Sequence, residues 1–137
     1  MRILAPVNNP QEVERIIQAG AREIYCGVMS AEWRKSYSNV ASSNRREWKT
    51  ANLSNFNDLR KVVNIAHSKN TPVYLALNAL YTSKQYPLLF EQIEQSREIG
   101  VDALIVADLG IILTLKRKKI DLDIHISTGG KIGRAHV

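Results

Sequence analysis

The chain of 137 residues predicts an α/β fold built on a parallel sheet, and three observations carry that prediction. Residues 103–107, A-L-I-V-A, form an apolar run without alternation, as in a strand covered on both faces. Stretches with apolar residues at helical spacing separate the strand-like runs. Glycine or proline marks most of the junctions between them. The resulting order is β-α-β-α-β-α-β-α-β, each helix returning the chain to a parallel neighbour. A doubly wound open sheet would be supported by G-x-G-x-x-G after the first strand, and Pro6-Val7-Asn8-Asn9 offers none. A closed barrel takes about 250 residues. The expected architecture is therefore an incomplete TIM-like (β/α) barrel, about its first half.

Each element has its own signal. Ile3, Leu4 and Ala5 read as a strand stopped by Pro6. Asn9 has N-cap character, Pro10 suits the first helical position, and Glu12 completes a capping-box spacing. Val13, Ile16, Ile17 and Gly20 follow one helical face, and Gly20 ends it. Residues 23–28 form the second strand. From residue 29 to 52 the periodicity fades, a length that in a compact domain marks a functional or disordered connection. Ser54 is placed to cap a helix whose face is Phe56, Leu59, Val63 and Ala66. Pro72 starts strand three, with Val73, Leu75 and Leu77 outward and Tyr74, Ala76 and Asn78 inward. Thr82 opens a helix that buries Tyr86, Leu89, Phe90 and Ile93 and stops at Gly100. Asp108 ends strand four and caps a helix with Leu109, Ile112, Leu113 and Lys116 on one face. Lys116 to Lys119 crowd its last turn, opposing the negative end of the helix dipole. Strand five runs to Ser127, with Leu122, Ile124 and Ile126 on one face and Asp123, His125 and Ser127 on the other.

Composition bounds the function. Hydrophobic content of 45% with 23% charged residues belongs to a globular chain, and no apolar run is long enough to span a bilayer. The start carries no signal-peptide hydrophobic region, and the one cysteine, Cys26, excludes an internal disulfide framework. A cytoplasmic location and no membrane partner are expected. The formal charge is +6. Residues 131–137 end in I-G-R-A-H-V, the translation of a sequencing-library adapter in one frame, and are expected to be a non-native tail behind a domain of residues 1–130. Leaving out Lys131 and Arg134 gives 17 basic against 13 acidic residues, or +4, which is weak support for nucleic acid. On this reading the C-terminal half of the barrel is missing.

In a parallel barrel the active site lies at the carboxyl ends of the strands. That rule selects Asn78, Asp108, His125, Ser127 and Thr128 as the candidate substrate site. Each has a plainer structural role open to it: Asp108 as a helix cap, His125 as a hydrogen-bonded core residue, Asn78 as a tie for the next loop. Thr128-Gly129-Gly130 could form an anion nest. Trp33, Arg34, Tyr37 and Trp48, in the long connection after strand two, could fold over the mouth as a lid or stack on a nucleobase. The alternative is local packing of the tryptophans. His67 belongs to a helix, no His/Cys cluster has metal-ligand spacing, and no metal is expected. No G-x-S-x-G or H-E-x-x-H is present, so the catalytic residues stay unknown.

Four motifs in order carry a resemblance: I-L-A-P-V-x-N followed by A-G-A-x-x-I-Y-x-G-V, V-Y-L-A-L-N at 73–78, G-V-D-A-L-I-V-A-D-L-G at 100–110, and D-I-H-I-S-T at 123–128. Together they resemble the peptidase U-32 (collagenase-like) family across residues 2–130. The resemblance implies a TIM-barrel-like domain and, nominally, a protease or collagenase-like hydrolase acting on peptides. Other members resemble iron–sulfur-dependent hydroxylation factors for tRNA or rRNA bases or a quinone precursor. A third implied role is a non-catalytic subunit that binds RNA or another substrate. On this resemblance a [4Fe-4S] cluster belongs to the full-length parent and no cofactor to residues 1–137, which alone would be inactive. Cys26 inherits no ligand role.

Overall fold

The computed structural model describes residues 1–37, 43–46 and 50–127. Five strands, β1 (Ile3–Pro6), β2 (Ala21–Cys26), β3 (Val73–Leu77), β4 (Ala103–Val106) and β5 (Asp123–Ile126), form one sheet in the order β1-β2-β3-β4-β5. Every pairing is parallel. Sequential order without reversal is what separates a barrel wall from a doubly wound sheet. Right-handed crossovers between adjacent strands then place the connecting helices on one face. These are α1 (Val13–Gln18), α3 (Phe56–Ser68), α4 (Tyr86–Ile99) and α5 (Leu109–Arg117). The fold is thus a partial TIM-like barrel, as the sequence predicts.

The core lies between the outer face of the sheet and these helices. Ile24, Cys26, Val73, Leu75, Leu77, Leu104 and Val106 from the strands meet Val13, Leu59, Val63, Leu89, Ile93, Ile111 and Leu115. The alternation read for strand three is the one observed: Val73, Leu75 and Leu77 join this core. Among the described residues no helix is long and apolar enough to cross a membrane.

Several boundaries differ from expectation. Residues 29–52 are not wholly aperiodic, because a further helix, α2 (Ala31–Tyr37), occupies their first part. It is only 7 residues long, too short for a periodic pattern to stand out. The first helix begins as a 3₁₀ turn at Pro10–Glu12, and Asn9 makes no side-chain cap. Glu12 instead accepts a hydrogen bond from the Asn8 backbone. Asn55, not Ser54, caps α3, its Oδ1 accepting from Asp58 N at 2.7 Å. On α5 the buried stripe is Ile111 and Leu115, while Leu109 and Leu113 stay 48% and 53% exposed. The stripe predicted from spacing is therefore rotated, since only the side of α5 nearest β4 is covered. Gly20 and Gly100 end their elements at φ +118° and +103°, the left-handed region that favours glycine.

Candidate active site at the barrel mouth

The inner face of the sheet is set by strand register. Partners in parallel strands point the same way, so Pro6, Tyr25, Tyr74, Ala103 and Asp123 form one lateral row. Ala76, Ile105 and His125 form the next row toward the carboxyl ends. Tyr74 and Ala76 are buried, Tyr25 and Ile105 half-buried, and Asp123 and His125 exposed. The face is a trough with aromatic walls. The Tyr74 hydroxyl donates to Glu23 Oε1 at 2.7 Å, and its ring meets His125 edge-on with centroids 4.5 Å apart. Burial, then Glu23, pushes the Tyr74 phenol up to about 12.

Above this trough the chain folds residues 43–46 back onto the strand ends. Ser43 Oγ donates to the Val28 carbonyl at 2.7 Å, and Tyr81 OH donates to the Ser43 carbonyl. Asn44 Nδ2 donates to Asn52 Oδ1 at 2.6 Å, while Asn44 Oδ1 accepts from Arg46 N at 2.9 Å. Val28 and Leu53 pair in parallel, so the excursion between them is pinched at its base. Gly27 makes the close approach feasible: a Cβ there would lie 2.3 Å from Asn52 Oδ1 and 2.5 Å from Asn44 Nδ2. The outcome is a fixed arginine. Arg46 Nε donates to the Ala51 carbonyl at 2.6 Å, its Nη2 donates to Asn8 Oδ1, and its guanidinium sits 5.0 Å above the Tyr25 ring.

The expected site residues fall into distinct roles. Asn78 Oδ1 accepts from Arg45 N at 2.9 Å, tying the 43–46 segment to β3. Asp108 caps α5, accepting from Gly110 N at 2.8 Å, and also receives Tyr81 N at 3.1 Å and Tyr86 OH at 3.4 Å. Burial, with Asp108 adding to it, raises the phenols of Tyr81 and Tyr86. Asn78 and Asp108 thus brace the mouth. His125 stands in the trough against Tyr74. Ser127 is half-buried and donates its backbone N–H to Val106 O at 2.8 Å. Thr128 and Trp48 lie outside the described residues.

Trp33 departs from the expectation of a lid. It is 0% exposed within the core, its ring 4.9 Å from Tyr37 and 6.0 Å from Tyr81. An indole so enclosed buries far more apolar area than an open flap would offer it, and so it stays inside. Arg34 Nε holds the Met29 carbonyl at 3.2 Å, and Tyr37 OH reaches Lys84 O at 3.3 Å, fastening α2 at both points. Arg46, Asn8, Tyr25, Asn44 and Asn52 were missed as site residues. The sole hint was the basic and aromatic composition of the connection.

Cys26 is buried, its Sγ 3.9 Å from Tyr74 O, and burial pushes its thiol up to about 12. A neutral thiol at neutral pH is neither nucleophile nor ligand. Among the described residues no group of three or more His, Cys, Asp or Glu could hold a metal ion. What the mouth offers chemically is a pre-positioned cation over the Tyr25 ring, with the Tyr74–His125 pair on the same sheet face.

The chain is 34% identical over 71 residues to tRNA hydroxylation protein P2 of Bacillus subtilis, covering 52% of this chain and 23% of that one. It is 24% identical to the Collagenase of Porphyromonas gingivalis, over 97% of this chain and 28% of the relative. With tRNA hydroxylation protein P of Helicobacter pylori strain 26695 the identity is 26%, over 96% and 28%. The chain therefore spans about a quarter of the length of these curated relatives. The solved structure of the U32 peptidase Mk0906 superposes with a TM-score of 0.63 at 14% identity, covering 95% of this chain and 49% of that one, a likeness of fold. The sequence profile of peptidase family U32 matches residues 8–135, and the chain belongs to that family.

Proposed function

We propose that this chain supplies the substrate-binding wall of a U32 barrel that acts on RNA bases, as a tRNA hydroxylation protein does. The carrying observation is Arg46, fixed over Tyr25 at the mouth of a trough that also holds the Tyr74–His125 pair. Aromatic, imidazole and guanidinium planes are the surfaces on which splayed-out bases stack. The tRNA hydroxylation proteins among the relatives support the same reading. A [4Fe-4S] cluster takes several cysteine thiolates, and these 137 residues hold one cysteine, buried and protonated. The chain's own residues therefore do not fit such a cluster, and its ligands, where the chemistry uses one, come from elsewhere.

A protease remains the second reading, because the P. gingivalis Collagenase matches over nearly the whole chain. One experiment separates them. The gene is deleted in its host, and tRNA nucleosides are compared by mass spectrometry before and after complementation. Loss of a hydroxylated nucleoside, restored by the gene, is expected. An unchanged nucleoside profile together with gelatin cleavage by the purified protein would replace this reading with the peptidase. Retention of tRNA without any modification would point to a binding subunit.

A further inference from the structure

The guanidinium of Arg46 is held more firmly than packing alone requires. Its Nε and Nη2 donate to the Ala51 carbonyl and Asn8 Oδ1, and its π face rests on Tyr25. Its own backbone N–H is tied to Asn44, and the neighbouring Arg45 N–H to Asn78. None of these partners carries a charge. The ion pairs among the described residues involve Lys61, His67, Lys69 and Arg97, and none includes Arg46. A half-buried cation held by neutral acceptors keeps its charge available. Its Nη1 edge lies outside the contacts just described, and a guanidinium edge is a two-pronged donor for phosphate oxygens. Ordering the side chain beforehand removes a large part of the entropy loss on binding.

We propose that Arg46 anchors the phosphate of a nucleotide at the barrel mouth, with the base lying along the inner face toward Tyr74 and His125. The assignment of a base to that face rests on the RNA-directed reading above; the anion site rests on Arg46 alone. Tyr25 and Tyr74 stand side by side on neighbouring strands, about 4.8 Å apart, so their rings make one aromatic surface beneath the guanidinium.

The test is calorimetric titration of the full chain with a purine and a pyrimidine nucleoside monophosphate, each beside its dephosphorylated nucleoside, and with inorganic phosphate. A monophosphate should bind about 10- to 100-fold tighter than its nucleoside, the range for hydrogen bonds to a charged group. Arg46→Gln should erase that difference, so that monophosphate and nucleoside bind this variant equally. Arg46→Lys, which keeps the charge without the fork, should recover part of it. Asn8→Ala, which frees the guanidinium, should narrow the gap between monophosphate and nucleoside, and circular dichroism checks that each variant is folded. Equal binding of monophosphate and nucleoside, wild-type binding by Arg46→Gln, or no binding by any probe would overturn the proposal. Inorganic phosphate binding as tightly as the monophosphates would overturn the nucleotide assignment. Arg46-dependent monophosphate binding in a protein whose deletion leaves tRNA nucleosides unchanged would sink the hydroxylation reading and leave this one standing.

Discussion

Replacing Gly27 with alanine adds one methyl group at the most crowded point of the barrel mouth. The new Cβ would lie 2.3 Å from Asn52 Oδ1, 2.5 Å from Asn44 Nδ2 and 2.9 Å from Asn44 Cγ. Contacts below 3.0 Å force a shift, and both asparagines are buried, 2% and 6% exposed. They cannot part without breaking their mutual 2.6 Å hydrogen bond. A buried hydrogen bond left unmade costs about 1–3 kcal/mol, and overpacking adds about 1–3 kcal/mol. Gly27→Ala should therefore destabilise the chain by roughly 2–6 kcal/mol, read from the midpoint of urea denaturation. Arg46, tied to Asn44 through its backbone, should move as well and weaken monophosphate binding. Gly20→Ala is the control. Its nearest neighbour would be Ile3 Cδ1 at 3.9 Å, so the cost there comes from φ +118° alone, about 1–2 kcal/mol. A Gly27→Ala chain within about 0.5 kcal/mol of the parent, the range of an ordinary surface substitution, would refute the claim that Asn44 and Asn52 close against Gly27.

Cys26 should resist thiol labelling in the native state at pH 8 and react at once in denaturant, because burial holds its thiol near 12; fast native labelling would contradict this. Stability should fall at high pH. Tyr74 has a folded pKa of about 12 against an ordinary value near 10, so what its neutral phenol contributes is complete below pH 10 and lost as pH rises through 12. The urea midpoint should drop across that window and drop less in Tyr74→Phe; equal losses in both would exclude Tyr74 as the source. Trp33→Ala should cost about 3–5 kcal/mol, the usual range for emptying a buried tryptophan site; a loss under 1 kcal/mol would return α2 to the role of a movable lid. Finally, Ile126 on β5 is 61% exposed and Leu113 on α5 53%, at the end of the sheet where β5 has one neighbour among the described residues. Ile126→Lys should lower concentration-dependent association in sedimentation. Unchanged association would place the sticky surface elsewhere.

Much of the fold was legible because its signals are local. The unbroken run at residues 103–107, the glycines at 20 and 100, and the alternation of Val73, Leu75 and Leu77 each depend on neighbours a few positions away. Asp108 is the clearest case, since its capping role needs only the helix that follows it. The errors share another cause. Ser54 and Asn55 are both competent caps, and the choice between them turns on a backbone angle. The stripe on α5 depends on which neighbour covers the helix, and spacing does not contain that information.

By itself the sequence determined the β/α alternation, the parallel sheet, the family, and an inner face carrying Tyr74 and His125, because pleat and helix periodicity write themselves into the residue order. Tertiary structure alone decided which part of the aperiodic connection reaches the mouth. Arg46 meets Asn8 across 38 positions, Arg45 meets Asn78 across 33, and Tyr81 meets Ser43 across 38. Trp33 was sorted into the core by the same long-range packing. Contacts at such separations are set by how the barrel brings strand ends together, and no local pattern records them.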